Sequence, residues 1–333
     1  MEFTIGGRLE VRIAPADVGK RVSVRRLTEN GSRGPKFTDT VGVLTSWNNG
    51  VLSVTPKSGD SVRIAESSLV AGKVVPSAPA RRRGPSASFP ELAPVYARAW
   101  QPLESEPLGD WLLRAAGGFT RRANSVLPLG DPGMPLDEAL ERVRHWYADR
   151  ELPAYIQTAT GGEGTQEELC AALEGHGWRR EVTAEVRIAA LAPVGDLAAE
   201  VSRVRLSRTV DDAWLARYQR FVTPGPQVAA VLGSGPSVWF ATVPGDQGDE
   251  APAAIGRCVV DGRWAGFMAV EVAPEHRRKG LATTVMTALA RQAMDEGASA
   301  AWLQVEADND GARALYDGMG FATHHLYHHF RAA

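Results

Sequence analysis

One segment, WAGFMAVEVAPEHRRKGLATTV at residues 264–285, limits the fold of this chain more than any other. Its apolar first part ends at Pro274, and a basic stretch containing Gly280 then leads into good helix formers, which predicts a strand, a turn and a helix. Backbone N–H groups at a helix start bind anions, and the small residues Gly280 and Ala282 let a phosphate approach the main chain. The chain has no GxxxxGK[ST] motif and the segment lacks GxGxxG spacing. The segment therefore predicts a pyrophosphate site that is neither a P-loop nor a dinucleotide fingerprint.

A second pattern, NDGARALYDGMGF, lies at residues 309–321. Together the two patterns make residues 200–333 resemble a complete domain of the GNAT superfamily, the acetyl-CoA-dependent N-acetyltransferases. The hallmark of that superfamily is [Arg/Gln]-x-x-Gly-x-[Gly/Ala] after a strand, and residues 277–282, RRKGLA, fit every position. The resemblance implies an α/β (α+β) GNAT fold with a mixed central sheet and flanking helices. It also implies transfer of an acetyl group from acetyl-CoA to a primary amine.

The resemblance assigns residues to acetyl-CoA. Main-chain N–H groups of residues 277–282 are expected to hold the pyrophosphate, and the basic side chains to add charge. Family members splay two central parallel strands, and the N–H of Val272 is expected to bind the thioester carbonyl at that point. Asn309 is expected to cap its helix or to bond the pantetheine arm, and the two roles are compatible. The expected cofactor contacts are Val270, Val272, Ala273, Arg277, Arg278, Lys279, Gly280, Leu281, Ala282 and Asn309.

In the family the amine attacks the thioester directly, so the site needs a base for the amine and an acid for the departing thiolate. The resemblance places Tyr316 beside the sulfur, where a phenol with a pKa of about 10 can donate a proton. The base is left open. Gln304 stands where some family members carry a carboxylate, and Glu306 lies two residues on, on the same strand face. Glu271 is the other candidate, and either carboxylate can act directly or through water.

Four histidines cluster near the C-terminal end of the sequence: His324, His325, His328 and His329. Their spacing on a strand makes the side chains diverge, and no carboxylate or cysteine set accompanies them, so we expect no bound metal. One or two of them are expected to line the substrate pocket. The two cysteines of the chain lie apart in apolar segments, which argues against a disulfide framework and a cysteine metal site.

The region before the GNAT-like domain repeats its order of elements. The tetrapeptide AYIQ at 154–157 parallels AWLQ at 301–304, and each follows a predicted helix, over 137–150 and 278–296. Residues 91–199 are therefore predicted to be a degenerate GNAT-like half, an arrangement similar to tandem GNAT proteins such as the mycothiol synthases. The alternative is that a strand, a helix and a glycine C-cap simply follow one another, as in many α/β folds. Because the first half lacks the basic motif, we expect it to give structural support or a substrate wall.

Short alternating segments punctuated by turn residues fill residues 1–75 and predict a small, all-β, SH3-like barrel. The predicted strands are RLEVRI, KRVSVRRL, TDTVGVLTSW, GVLSVTP and SVRIAESSLV. Residues 76–90, PSAPARRRGPSASFP, are predicted to be a linker because they cannot form a buried apolar face. Residues 1–83 contain 14 Lys+Arg and 7 Asp+Glu, whereas residues 84–333 contain 23 and 32. This asymmetry makes contact of the basic barrel with nucleic acid or a protein partner one expectation.

No segment approaches the roughly 18 apolar residues of a membrane span, and the start MEFTIGGRLEVRI lacks a secretory pattern. We therefore expect a cytoplasmic protein without membrane contact. A non-enzymatic alternative is an acyl-CoA-sensing module whose barrel binds nucleic acid or a protein. Tyr316 and Asn309 favour catalysis, because a sensor does not need the acid. The acceptor is left open among a protein N-terminus, a lysine side chain, a polyamine and an antibiotic-like amine.

Overall fold

The computed structural model describes residues 10–28, 36–75, 85–218, 225–246 and 251–333. The chain forms a small β domain followed by a larger α/β body. Most of the predicted linker lies outside the described residues. Within the described ranges, no helix has both the length and the apolar character that crossing a bilayer requires.

The N-terminal β domain is a five-stranded antiparallel sheet that wraps around one apolar core, as the alternation predicts. Asn49 and Gly50, with φ angles of 50° and 73°, form the tight turn between its second and third strands. Its strands are β1 (Arg21–Thr28), β2 (Lys36–Asn48), β3 (Val51–Pro56), β4 (Val62–Ala65) and β5 (Leu69–Val74). They pair in the order β4-β3-β2-β1-β5.

Two predicted strand segments of the β domain were wrong in part. SVRIAESSLV is not one strand, because a 3-10 turn at Glu66–Ser68 separates β4 from β5. In its described part, RLEVRI contributes only an isolated bridge between Val11 and Gly72. The cause is topological: β5 pairs with β1 at the opposite edge from β4, so the chain has to turn sharply between them.

The first half of the body carries a small three-stranded sheet and two further strands that join a second, larger sheet. The three strands of the small sheet pair in chain order, and Val126, just before the third of them, forms an isolated parallel bridge with Ile156 of the next strand. The elements of this half are α1 (Phe89–Arg98), β6 (Glu104–Leu108), β7 (Trp111–Ala115), β8 (Leu127–Pro128), α2 (Leu136–Ala148), β9 (Tyr155–Thr160), α3 (Glu167–Gly175) and β10 (Arg179–Ala190).

The second half continues directly from the first. Its long helix α7 begins at Leu281, not at the predicted 278, because Arg278 and Gly280 have left-handed φ angles of 63° and 79°. The elements are α4 (Ala192–Gly195), β11 (Arg205–Ser207), α5 (Asp212–Arg217), α6 (Pro226–Leu232), β12 (Ser237–Val243), β13 (Ala254–Asp261), β14 (Trp264–Val272), α7 (Leu281–Asp295), β15 (Ala300–Glu306), α8 (Asp310–Gly318) and β16 (Ala322–Arg331).

One eight-stranded sheet joins the two halves. Its order is β11-β12-β13-β14-β15-β10-β16-β9, and β14 and β15 form its parallel pair. The halves exchange strands: β10 of the first half pairs with β15, while β16 of the second half pairs with β9. The two exchanged strands also pair antiparallel with each other. Each half thus contributes one strand that pairs with a strand of the other half.

Apolar cores cover both faces of the eight-stranded sheet. On one face, which we call the α1 face, Tyr96 of α1 and Trp214 of α5 pack with Trp302 of β15. On the other, the α7 face, Leu289 of α7 packs with Leu303 of β15. Successive residues of a strand point to opposite faces, so the face that each side chain occupies can be followed along β14 and β15.

Candidate active site

The site is built where two parallel strands separate. β14 and β15 pair only as far as Phe267 and Leu303, yet they continue to Val272 and Glu306. Ala269 has a φ of 51°, and the register of β14 against β13 shifts here, which is a β-bulge. The strands diverge and leave a cleft of about 100 Å³, which we call the strand cleft. It is lined by Met268, Ala269, Val270, Glu271, Gln304, Val305, Glu306, Asn309, Tyr316, Trp100, Arg122 and Tyr218, among others.

The two candidate bases lie on the same side of the strand cleft. Val270 and Val272 pack on the α7 face, so Glu271 between them points to the α1 face. Val305 also packs on the α7 face, which leaves Glu306 on the α1 face as well. Both carboxylates are half-buried and line the strand cleft. The structure therefore brings the two predicted alternatives together.

Tyr316 reaches the strand cleft from the opposite side. It lies on α8, packs against the core of the α7 face, and its ring centroid is 6.0 Å from that of Phe321. Asn309 caps α8, since its Oδ1 accepts a hydrogen bond of 3.1 Å from the N–H of Ala312. The phenol and the carboxylates thus flank one gap through the sheet.

The basic turn before α7 has the form of an open anion site. Gly280 is the N-cap residue, and no side chain among the described residues caps the helix there. The side chains of Arg277, Arg278 and Lys279 are exposed, and a Cβ added at Gly280 would meet no atom within 4 Å. The first N–H groups of α7 therefore face open space beside three cations. This geometry fits a pyrophosphate.

The main chain of β14 offers a donor to the strand cleft. The N–H of Ala273 donates to the carbonyl of Ala253 at 2.9 Å, on the side of β13. Because N–H groups alternate in direction along a strand, the N–H of Val272 points the other way, towards the gap left by β15. The N–H of Val272 is therefore oriented towards the place where the thioester carbonyl is expected to bind.

Sequence reasoning missed Arg122, which the first half contributes to the strand cleft. It lies in the 3-10 turn Arg121–Ala123 between β7 and β8. Its Nε donates to Oε1 of Gln304 at 2.5 Å and its Nη2 to the hydroxyl of Tyr327 at 2.7 Å. No motif surrounds it in the sequence, so only the packing of the two halves could have revealed it.

A second cavity, of about 460 Å³, adjoins the strand cleft, and we call it the side cavity. It shares Arg122, Tyr218 and Glu306 with the strand cleft. Its further lining comes mainly from the first half and from β16: Gly118, Phe119, Thr120, Arg121, Pro153, Tyr155, Val182, Tyr327 and His329. A second substrate can thus approach from the α1 face, where both candidate bases lie.

The histidine cluster is largely structural. The ring of His328 bonds to the hydroxyls of Thr160 and Thr183, each at 2.9 Å, while His329 lines the side cavity. Burial lowers the pKa of His328 to about 3 and holds the pKa values of His325 and His329 well below their usual range. Within the described ranges, no group of three or more potential ligands is placed to hold a metal ion.

Comparison with known proteins agrees with the geometry. A family model described as the C-terminal part of the probable histone acetyltransferase Rv0428c matches residues 90–330, and one described as the Rv0428c N-terminal Sm-like domain matches residues 16–73. The probable histone acetyltransferase Rv0428c of Mycobacterium tuberculosis is 27% identical over 318 residues, which cover 92% of this chain and 93% of that protein. The uncharacterized N-acetyltransferase YobR of Bacillus subtilis is 26% identical, over 71% of this chain and 95% of that protein.

Solved structures show the same fold at low identity. A GCN5-related N-acetyltransferase from Kribbella flavida has a TM-score of 0.52 and 18% identity, and the match covers 73% of this chain and 94% of that one. A functionally unknown conserved protein from Staphylococcus epidermidis has a TM-score of 0.51 and 11% identity, over 72% and 96% of the two chains.

The splayed parallel strands, the open helix start and these matches define a GNAT-type N-acetyltransferase with a small N-terminal barrel. Within that class, the chain belongs to the family of the Rv0428c C-terminal acetyltransferase domain. The barrel, predicted as SH3-like, matches the Sm-like domain of the same family.

Proposed function

We propose that this N-acetyltransferase moves the acetyl group of acetyl-CoA to a primary amine by direct attack in a ternary complex. The observation that carries the proposal is the gap between β14 and β15. It opens beside the uncapped start of α7, has Tyr316 on one side, and has Glu271 and Glu306 on the other. A thioester and an amine can meet there from opposite faces of the sheet.

The turn at residues 277–282 holds the pyrophosphate of acetyl-CoA in this proposal. Its N–H groups bind the phosphate oxygens, and Arg277, Arg278 and Lys279 add charge. The pantetheine arm then follows β14 along Val270, Val272 and Ala273, with Asn309 at the far wall. The N–H of Val272 donates to the thioester oxygen, an interaction that strengthens as the tetrahedral intermediate forms and contributes a few kcal/mol.

The proton transfers are divided between the two sides of the gap. The amine enters from the side cavity, and Glu306 takes its proton directly or through one water molecule. The nitrogen lone pair forms the N–C bond, and collapse of the intermediate breaks the C–S bond. Tyr316 gives its proton to the departing thiolate, and the remaining excess proton of the attacking nitrogen returns through water to the tyrosinate, so free CoA and the acetylated amine leave in their neutral forms.

Tyr316→Phe tests the mechanism. We expect kcat to fall by roughly 10²-fold or more, because the thiolate loses its acid, with little change in the Kd for acetyl-CoA. The measurement is CoA release over a panel of small amines and peptides, with acetyl-CoA affinity determined by calorimetry. The panel includes a lysine peptide, because one relative is named a probable histone acetyltransferase.

Tyr96→Phe is the matched control, since Tyr96 is buried in the core of the α1 face and lines neither cavity. Wild-type turnover in the Tyr316→Phe variant would contradict the assignment of the acid. Tight binding of acetyl-CoA without CoA release for any amine would instead favour the acyl-CoA sensor.

For the barrel we propose contact with nucleic acid, supported by the positive charge of residues 1–83 and the match to an Sm-like domain. Retention of the full chain on RNA should weaken steeply between about 50 and 200 mM salt, because phosphate contacts release counterions. Salt-independent retention, or none, would point to a protein partner or to a structural role.

A further inference from the structure

We propose that the side cavity binds the anionic group of the acceptor, a carboxylate or a phosphate ester, while the amine of that acceptor points towards Glu306. The acceptor is thus a small molecule with both charges. This inference rests on the proposed function and specifies the substrate class of the same site. Three features of the structure support the anionic group: the charges that face the side cavity, a buried arginine behind its wall, and an imidazole in its wall that has no hydrogen-bond partner among the described residues.

The side cavity presents more positive than negative charge. Among the described residues, Arg122 forms no ion pair, and its guanidinium donates hydrogen bonds to the neutral side chains of Gln304 and Tyr327. Arg121 shares the carboxylate of Glu181 with Arg331, at 3.4 and 3.7 Å. One carboxylate therefore serves two cations, and the charge of Arg122 is left for a ligand.

A buried cation behind the wall adds to this field. Arg114 is only 2% exposed, and the hydrogen bonds of its guanidinium to described residues go to neutral groups. It donates to the carbonyl and hydroxyl of Ser125, both at 2.9 Å, and to Gln157 at 3.3 Å. Burial lowers the pKa of Arg114 to about 10, which still leaves it charged at neutral pH. A buried charge without a counterion favours an anion nearby.

His329 supplies an unpartnered polar group in the same wall. It is 2% exposed, lines the side cavity, and neither ring nitrogen has a hydrogen-bond partner among the described residues. Burial, and then the charges of Arg122, Arg114 and Arg121, hold its pKa well below the usual range, so the ring is neutral. A neutral imidazole keeps one N–H donor, but neither ring nitrogen of His329 is open to the side cavity, so the direct contacts of the anion fall to Arg121 and Arg122.

The position of Glu306 sets the orientation of the acceptor. Glu306 is the acidic residue common to the strand cleft and the side cavity. An ammonium group is drawn to it, while the anionic end is drawn to Arg121 and Arg122 on the first half. The two ends of a zwitterionic acceptor are thereby held apart, with the amine at the gap where the thioester arrives.

The test compares amines that differ only in the anionic group. CoA release is measured for 6-aminohexanoate against hexylamine and for O-phosphoethanolamine against ethanolamine. We expect kcat/KM to be at least roughly tenfold higher for the anionic member of at least one pair. The pair that shows the preference tells a carboxylate from a phosphate ester.

The variants Arg122→Gln and Arg121→Gln should reduce that preference. We expect kcat/KM for the anionic amine to fall roughly tenfold more than for its neutral partner, because a charge-assisted hydrogen bond is lost. Arg203→Gln is the matched control: Arg203 is exposed and lines neither cavity. It makes the same charge change and should leave the preference intact.

Binding of the unreacted probes separates the two proposals. Calorimetry of the full chain with 6-aminohexanoate and with O-phosphoethanolamine should show binding that the Arg121→Gln/Arg122→Gln double variant loses. Equal kcat/KM within each pair, or binding that survives the double variant, would overturn the anionic acceptor while leaving acetyl transfer intact. Absence of CoA release with every amine, despite binding that depends on the arginines, would overturn the proposed reaction and retain the anion site.

Discussion

At the scale of single residues, the position of each carboxylate follows from strand alternation. Glu271 lies between two valines that face α7, so its side chain points to the opposite face. Glu306 comes directly after Val305, which also faces α7, so the side chain of Glu306 points to the opposite face as well. Alternation in the sequence gives no preference between the two carboxylates, and the packing of the valines shows that both lie on one face of the sheet. The packing of the two halves adds a difference, because Glu306 lines both cavities and Glu271 lines only the strand cleft.

This difference predicts unequal effects of two matched substitutions. Glu306→Gln should lower kcat/KM by roughly 10²-fold or more, because the amine loses its base, while Glu271→Gln should have a much smaller effect. The measurement is CoA release with the best amine of the panel, compared between the two variants at one pH. A larger loss in Glu271→Gln would reverse the assignment.

Arg122 shows what residue patterns do not reveal. It stands in a turn without a motif, 182 positions before the Gln304 that it contacts. Sequence spacing carries no information about such a contact, because only the packing of the first half against the eight-stranded sheet brings the two side chains together. The same reason explains why Trp100 was not expected at the strand cleft.

At the scale of elements, the basic turn and α7 agree with the sequence in all but the first residues of the helix. The predicted start at 278 was wrong because Gly280 has a left-handed φ of 79° and ends the turn. Glycine adopts this conformation without the steric cost that a Cβ brings. The turn thereby leaves the first N–H groups of α7 open.

Gly280→Ala is expected to weaken acetyl-CoA binding. A left-handed alanine costs roughly 1–2 kcal/mol, and relief of that strain would turn the first N–H groups away from the pyrophosphate. The Kd for acetyl-CoA, measured by calorimetry, should rise roughly tenfold.

Gly297→Ala provides the control at the other end of α7. Gly297 has a φ of 92°, and a Cβ there also meets no atom within 4 Å. The two variants should lose similar stability, yet only Gly280→Ala should lose affinity. Equal Kd values in both variants would show that the turn does not bind the cofactor.

At the scale of the whole molecule, the two halves and the barrel meet around β16. β16 lies between β10 and β9, and His328 on it bonds to a threonine from each of those strands. The barrel reaches the same region, because Arg180 of β10 pairs with Asp60 at 2.8 Å. Buried neutral histidines thus lie where the parts of the chain are joined.

This placement predicts a loss of stability in mild acid. The folded-state pKa of His328, about 3, lies below its unfolded value, so the unfolded chain binds protons first as the pH falls. Stability from this residue is complete above pH of about 6.5 and is lost progressively towards pH of about 3. Between about pH 7.5 and 5.5 the loss is about 1.4 kcal/mol for each buried neutral histidine.

His328→Gln should reduce this loss by about 1.4 kcal/mol, because glutamine keeps polar contacts but does not titrate. The measurement is the free energy of unfolding in urea at the two pH values. His145→Gln makes the same substitution at an exposed position of α2 and is the matched control. If His328→Gln loses as much stability between the two pH values as the wild-type protein does, the pKa of His328 is the same in the folded and unfolded states.

The sequence by itself determined the barrel, the GNAT-type second half, the basic turn before α7 and the side-chain types of the candidate site. These depend on interactions between residues close in the chain: alternation, helix periodicity, a glycine in a left-handed turn. Only the tertiary structure decided the exchange of β10 and β16, the entry of Arg122 into the strand cleft and the side cavity. Each of these depends on contacts between residues far apart in the chain, which form because two halves of one sheet bury each other's edges.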